Sequence, residues 1–112
     1  MEPREVPLDG SVQILDVRTR AEWNAGHVEG SKHIPLDELA ARLDEIDDEP
    51  RTVVVCQIGQ RSYMAATYLR SLGIDAHNLD GGLERWAREG LGLVSQRGEG
   101  KIVDGMGRIL EG

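Results

Sequence analysis

Apolar positions along the chain change their period several times, and each change marks an element. Val12–Val17 (VQILDV) and Thr52–Cys56 (TVVVC) are short apolar runs of strand length, the second the most strand-like in the sequence. Thr19-Arg20-Ala21-Glu22 has the capping-box form, a hydroxyl at the cap and a carboxylate three residues on, so a short helix starts there and ends at Gly26. Ser31–Ile34 reads as a short strand closed by Pro35. Leu36, Leu39, Ala40, Leu43 and Ile46 then share one helical face, and the acidic stretch Asp44–Glu49 with Pro50 stops that helix. A further helix begins near Gln60, with Met64, Ala65, Tyr68, Leu69 and Leu72 expected on its buried side and Gly73 as its C-terminal cap. Ile74–Leu79 is a strand candidate, Gly81-Gly82 a tight turn, and Leu83–Glu89 a short helix with Trp86 as core packing.

Strands alternating with helices at this spacing predict an α/β fold, a mainly parallel central sheet with helices packed on both faces. In such folds ligands sit at the carboxyl ends of the strands, and Cys56 ends one. The length, 112 residues, is that of one domain. Residues 1–11 read as a lead-in, 12–94 as the domain and 95–112 as a Gly-rich tail. Its five glycines predict a segment that is mobile or that docks by Ile102, Val103, Ile109 and Leu110.

Composition narrows the function classes. A net charge of −7 repels nucleic-acid phosphates and anionic lipid, and an anionic substrate would need a local positive site. No apolar run has membrane-span length and the N-terminus lacks a signal pattern, so a cytoplasmic protein without a membrane partner is expected. With a single cysteine there is no internal disulfide. The three histidines, His27, His33 and His77, have no zinc spacing, so neither a metal nor a cofactor is expected.

The candidate chemistry lies in CQIGQRS, residues 56 to 62. A strand followed by a curled loop and a helix leaves loop and first-turn N–H groups without carbonyl partners, aimed at the bowl that holds the sulfur. Those groups, the helix dipole and the Arg61 guanidinium favour an anion there, so Cys56 should favour the thiolate. On VVVC alone an inert core thiol is the commoner outcome, because free cysteine is among the most buried residue types. The cradle that follows shifts the balance toward a nucleophile, and composition alone leaves the choice open.

The segment ILDVRTRAEWNAGHVEGSKHIPL, the loop CQIGQRS and the later NLDGGLERW together resemble a single rhodanese domain, in the right order and from about Val12 to about Val94. The resemblance implies a sulfurtransferase in which Cys56 accepts a sulfane sulfur and becomes a persulfide. Gln57, Ile58, Gly59, Gln60, Arg61 and Ser62 would then form the substrate-binding loop. Asp16, Arg18, Glu22 and His27 match family positions and are read as support for that loop rather than as catalytic groups. The implied partners are a small anionic sulfur donor, thiosulfate or a thiol persulfide, and a cyanide, thiol or protein acceptor. A persulfide carrier with little turnover, part of a larger sulfur-metabolism system, is the alternative. A cysteine phosphatase fits worse, since there five residues separate the Cys from the Arg and here only four intervene, Gln57 to Gln60.

Overall fold

The computed structural model describes residues 1–95 and 98–99. Four strands form one wholly parallel sheet: β1 (Val12–Asp16), β2 (Lys32–His33), β3 (Arg51–Val55) and β4 (Ala76–Asn78), in the order β2-β1-β3-β4. Parallel neighbours need crossover connections, and the segments between the strands supply them. These are α1 (Arg20–Ala25), a 3₁₀ segment (Leu36–Glu45) and α2 (Gln60–Ser71), with α3 (Gly82–Arg88) following β4.

Strand residues alternate between two apolar layers. Leu15, Val54 and Cys56 face a layer with Leu39, Ala65, Ala66 and Leu69, from the 3₁₀ segment and α2. Ile14, Val53 and Val55 face the other, with Leu83 and Trp86 of α3. Both faces of the sheet are therefore covered, which is why β3 reads as an unbroken apolar run. No helix among the described residues is long and apolar enough to cross a membrane.

Two expected helices differ. The segment from Leu36 is 3₁₀, with a break at Arg42 (φ −122°, ψ 25°), and Ala40 is exposed. Leu36 and Leu39, then Leu43 and Ile46, are three residues apart, the 3₁₀ period, and the kink restores the phase between the pairs. The side of α2 expected from the apolar spacing is buried only in part, at Ala65 and Leu69. Ser62, Ala65, Ala66 and Leu69 are buried, while Met64, Tyr68 and Leu72 are exposed. Small residues on the inner face let α2 lie close against the sheet, and that register points Ser62 at the sulfur of Cys56.

Beyond the sheet, β5 (Val94–Ser95) pairs antiparallel with β6 (Gly98–Glu99). His27 exchanges both backbone hydrogen bonds with Val94, which ties this end of the chain to the turn after α1. The expected tail residues Ile102, Val103, Ile109 and Leu110 lie outside the described residues.

Candidate active site

Cys56 follows the last residue of β3, at the carboxyl edge of the sheet, and is fully buried. Its sulfur is nonetheless not in a purely apolar setting. The Gly59 N–H donates to Sγ at 3.1 Å, the Ser62 N–H lies at 3.3 Å and the Ser62 hydroxyl at 3.2 Å. Three donors converging on one thiol form an acceptor site for a sulfur anion, since ionised acceptors make the stronger hydrogen bonds.

The chain makes this cradle in a specific way. Gly59 is the N-cap of α2 at φ +102°, a left-handed conformation that side chains rarely adopt, and it turns the loop so that its own N–H faces the sulfur. The entry to the loop is held from behind by the first turn of α3. Leu83 and Glu84 donate their N–H groups to the carbonyls of Cys56 and Gln57, at 2.8 and 3.0 Å. This approach requires glycine at position 82, where a Cβ would sit 2.6 Å from the Ile58 nitrogen. The Gly81-Gly82 turn thus clamps the active loop as well as starting α3.

Ser62 Oγ also lies within hydrogen-bond distance of Asn78 Oδ1, at the end of β4. A hydroxyl has one proton, so Ser62 serves Asn78 or the sulfur as donor, not both at once. Asn78 opens the NLDGGLERW segment, and the adjacency of β3 and β4 brings it to the site.

The Arg61 guanidinium, expected to favour an anion at the sulfur, is instead engaged by a carboxylate. Its Nη1 and Nη2 donate to Glu22 Oε1 and Oε2, each at 2.8 Å. Glu22 is 1% exposed and Arg61 34%. The same Glu22 closes the capping box of α1, accepting from the Thr19 N–H at 3.0 Å and its hydroxyl. Burial acts to raise the Glu22 pKa, but the hydrogen bonds from Arg61 and Thr19 outweigh it and hold the carboxyl below its ordinary value. The hydrogen bonds to Glu22 raise Arg61 in turn, with smaller contributions from the charges of Cys56 and Asp16.

The remaining expected residues lie around this core. Asp16 and Arg18 form a bidentate pair with both side chains fully buried, Nε to Oδ1 at 3.0 Å and Nη2 to Oδ2 at 2.8 Å. Arg18 Nη2 also donates to the Gly26 carbonyl, so the pair joins the end of β1 to the end of α1. His27 stacks on Trp23 with ring centroids 3.6 Å apart, and His33 lies against the same ring at 4.8 Å. That stack, which the sequence did not announce, holds the turn after α1 and makes no contact with the sulfur. Gln57 donates to Glu84 at 3.1 Å, while Ile58 and Gln60 are exposed. Gln57, Ile58, Gln60, Arg61 and Glu22 line a cleft of about 320 Å³ above the loop.

A rhodanese-like domain model matches residues 6–89, three quarters of the chain. The chain belongs to the rhodanese family. Among its relatives is a sulfurtransferase of Allochromatium vinosum, 36% identical over 88 residues, covering 78% of this chain and 82% of that protein. Another is the thiosulfate sulfurtransferase GlpE of Pseudomonas fluorescens, 43% identical over 74 residues, covering 65% of this chain and 68% of that one. A rhodanese-related protein of Thermoplasma volcanium superposes with a TM-score of 0.80 at 27% identity, covering 84% of this chain and 95% of the other. This rhodanese is accordingly of the sulfurtransferase kind, with the α/β architecture of its neighbours.

Proposed function

We propose that Cys56 carries a sulfane sulfur between a donor and a thiophilic acceptor. The observation that carries this reading is the convergence of Gly59 N–H, Ser62 N–H and Ser62 Oγ on a buried sulfur. The two N–H donors belong to the cap and first turn of α2 and have no carbonyl partner of their own, so the chain directs them at the sulfur. In the first half-reaction the Cys56 thiolate attacks the outer sulfur of thiosulfate. The Sγ–S bond forms, the donor S–S bond breaks, and sulfite leaves with the electron pair. From a thiol persulfide the leaving group is the thiolate. The Cys56 persulfide extends the side chain by one sulfur, about 2 Å, and its terminal charge falls among the same loop amides. Cyanide or a thiol then attacks that outer sulfur, forms thiocyanate or a new persulfide, and returns Cys56 as thiolate.

Support comes from the family membership and from the approach of Gly59 and Ser62 of the loop to one sulfur. Two-substrate initial rates with a sulfane donor and cyanide test the scheme. Parallel double-reciprocal lines are expected, the signature of a covalent intermediate, and Cys56→Ser is expected to be silent. Intersecting lines, or activity in Cys56→Ser, would reject it. A carrier with little turnover is the second reading, favoured by the complete burial of Cys56, which demands that loop side chains part before a donor arrives. A persulfide that forms stoichiometrically but turns over slowly with every small acceptor would establish it.

A further inference from the structure

The site that should receive an anionic donor has no uncompensated positive charge. Arg61 is the sole cation among the five residues lining the cleft, and both its terminal nitrogens are committed to Glu22 at 2.8 Å. The adjoining cleft, which shares Arg61, adds Arg18 and Arg20. Arg18 is held by Asp16 at 2.8 Å and Arg20 faces Glu38 at 3.3 Å. Every arginine around the loop mouth therefore faces a carboxylate, with Glu38 serving Arg42 as well as Arg20. The rest of the lining is two amides and Ile58, which is 51% exposed, and Glu84 stands directly behind Gln57. The whole chain carries a net charge of −7, which adds to the repulsion of an approaching dianion.

Size points the same way. Water occupies about 30 Å³ per molecule in the liquid, so a cleft of about 320 Å³ is far larger than thiosulfate needs. An exposed isoleucine at its mouth offers contact to carbon, not to sulfonate oxygens.

We infer that Glu22 sets donor choice by masking Arg61, so that Cys56 takes its sulfur from the persulfide of a weakly charged thiol in preference to a dianionic donor such as thiosulfate. This rests on the sulfur-transfer reading above. In the favoured reaction Cys56–S⁻ attacks the terminal sulfur of R–S–SH, giving Cys56–S–SH and R–S⁻. One S–S bond forms, one breaks, and no outside oxidant is used. The carrier R lies over Ile58 and the two amides, where a sulfonate would find Arg61 already paired with Glu22.

The test compares thiosulfate with 2-hydroxyethyl persulfide, whose carrier is uncharged, as donors for Cys56 persulfidation in the full chain. Wild type is expected to have the higher second-order rate with the persulfide. Glu22→Gln keeps an acceptor for the Thr19 N–H while removing the charge. Unmasking one cation before a dianion at contact distance is expected to raise the thiosulfate rate roughly tenfold, with a gain that shrinks as salt is added. The persulfide rate should change much less. Gln60→Lys places a new cation in the cleft on an exposed position without touching Glu22, and is expected to shift the donor ratio in the same direction. A wild type that prefers thiosulfate, or a donor ratio that neither variant moves, would overturn the assignment of Glu22. If wild-type Cys56 accepts sulfur from neither donor, it is the sulfur-transfer reading that fails.

Discussion

Asp16–Arg18 and Glu22–Arg61 are both bidentate carboxylate–arginine pairs at the carboxyl edge of the same sheet, yet they are built for different ends. The first joins residues two apart, is closed from water on both sides, and ends on a backbone carbonyl at Gly26. Its sealing is so complete that Arg18 Nη1 is buried without a partner. The second joins residues 39 apart in sequence, and its arginine opens on the cleft above Cys56. A sealed pair fixes geometry and reports to nothing outside. A half-open pair fixes geometry and also sets the charge that a ligand meets. The lesson is that burial of the cation, not the presence of the pair, separates a structural tie from a site component.

Breaking each pair should expose that difference. The largest effect is expected from Arg18→Met, which strands Asp16 without its cation in a closed space. Loss of one partner of such a pair costs about 3–5 kcal/mol, and at roughly 4–8 °C per kcal/mol for a domain this size the thermal midpoint should fall by about 12 °C or more. A smaller fall would mean that water reaches Asp16. Arg61→Met should cost less, about 1–3 kcal/mol in urea unfolding, because Glu22 retains its Thr19 donors and the vacated side is open to solvent. A loss as large as that of Arg18→Met would make the two pairs equivalent. In a double-mutant cycle, Glu22→Gln should recover part of the Arg61→Met loss, by about 1 kcal/mol, since the stranded charge is then gone. No recovery would mean that the pair holds no coupling energy.

Acid should give the finest separation. The Glu22 carboxyl is held below its ordinary value of 4.5 in the folded protein. The unfolded chain therefore binds the proton first as pH falls, and the stabilisation is complete above about pH 4.5 and lost as pH drops through the lower folded value. Urea midpoints measured against pH should show this decline in wild type and a shallower one in Glu22→Gln. Equal slopes would show that Glu22 does not contribute to acid sensitivity.

Legibility in the sequence followed the range of the interaction. β3, the loop after it and the capping box at Thr19 were readable because each is set by neighbours within a few residues. The Glu22–Arg61 pair was not, because the local capping role already accounted for the glutamate and the arginine lies 39 positions away. The contact of Asn78 with Ser62 is hidden for the same reason, since only strand pairing brings the two together. Bulk does not mark the buried face of α2. There the closeness of helix to sheet favours Ser62, Ala65 and Ala66, while Met64, Tyr68 and Leu72 turn outward. Gly82 read as a turn residue, and its contact with the loop backbone could be seen only once α3 was in place.

The central claim is that the sulfur of Cys56 accepts another sulfur. Intact-protein mass spectrometry after incubation with a sulfane donor, with Cys56→Ser alongside, tests it most directly. Wild type is expected to gain one sulfur atom that cyanide then removes, and the variant to gain none. A protein that gains no sulfur from either thiosulfate or a thiol persulfide, while remaining folded, would make Cys56 a core thiol and contradict the account.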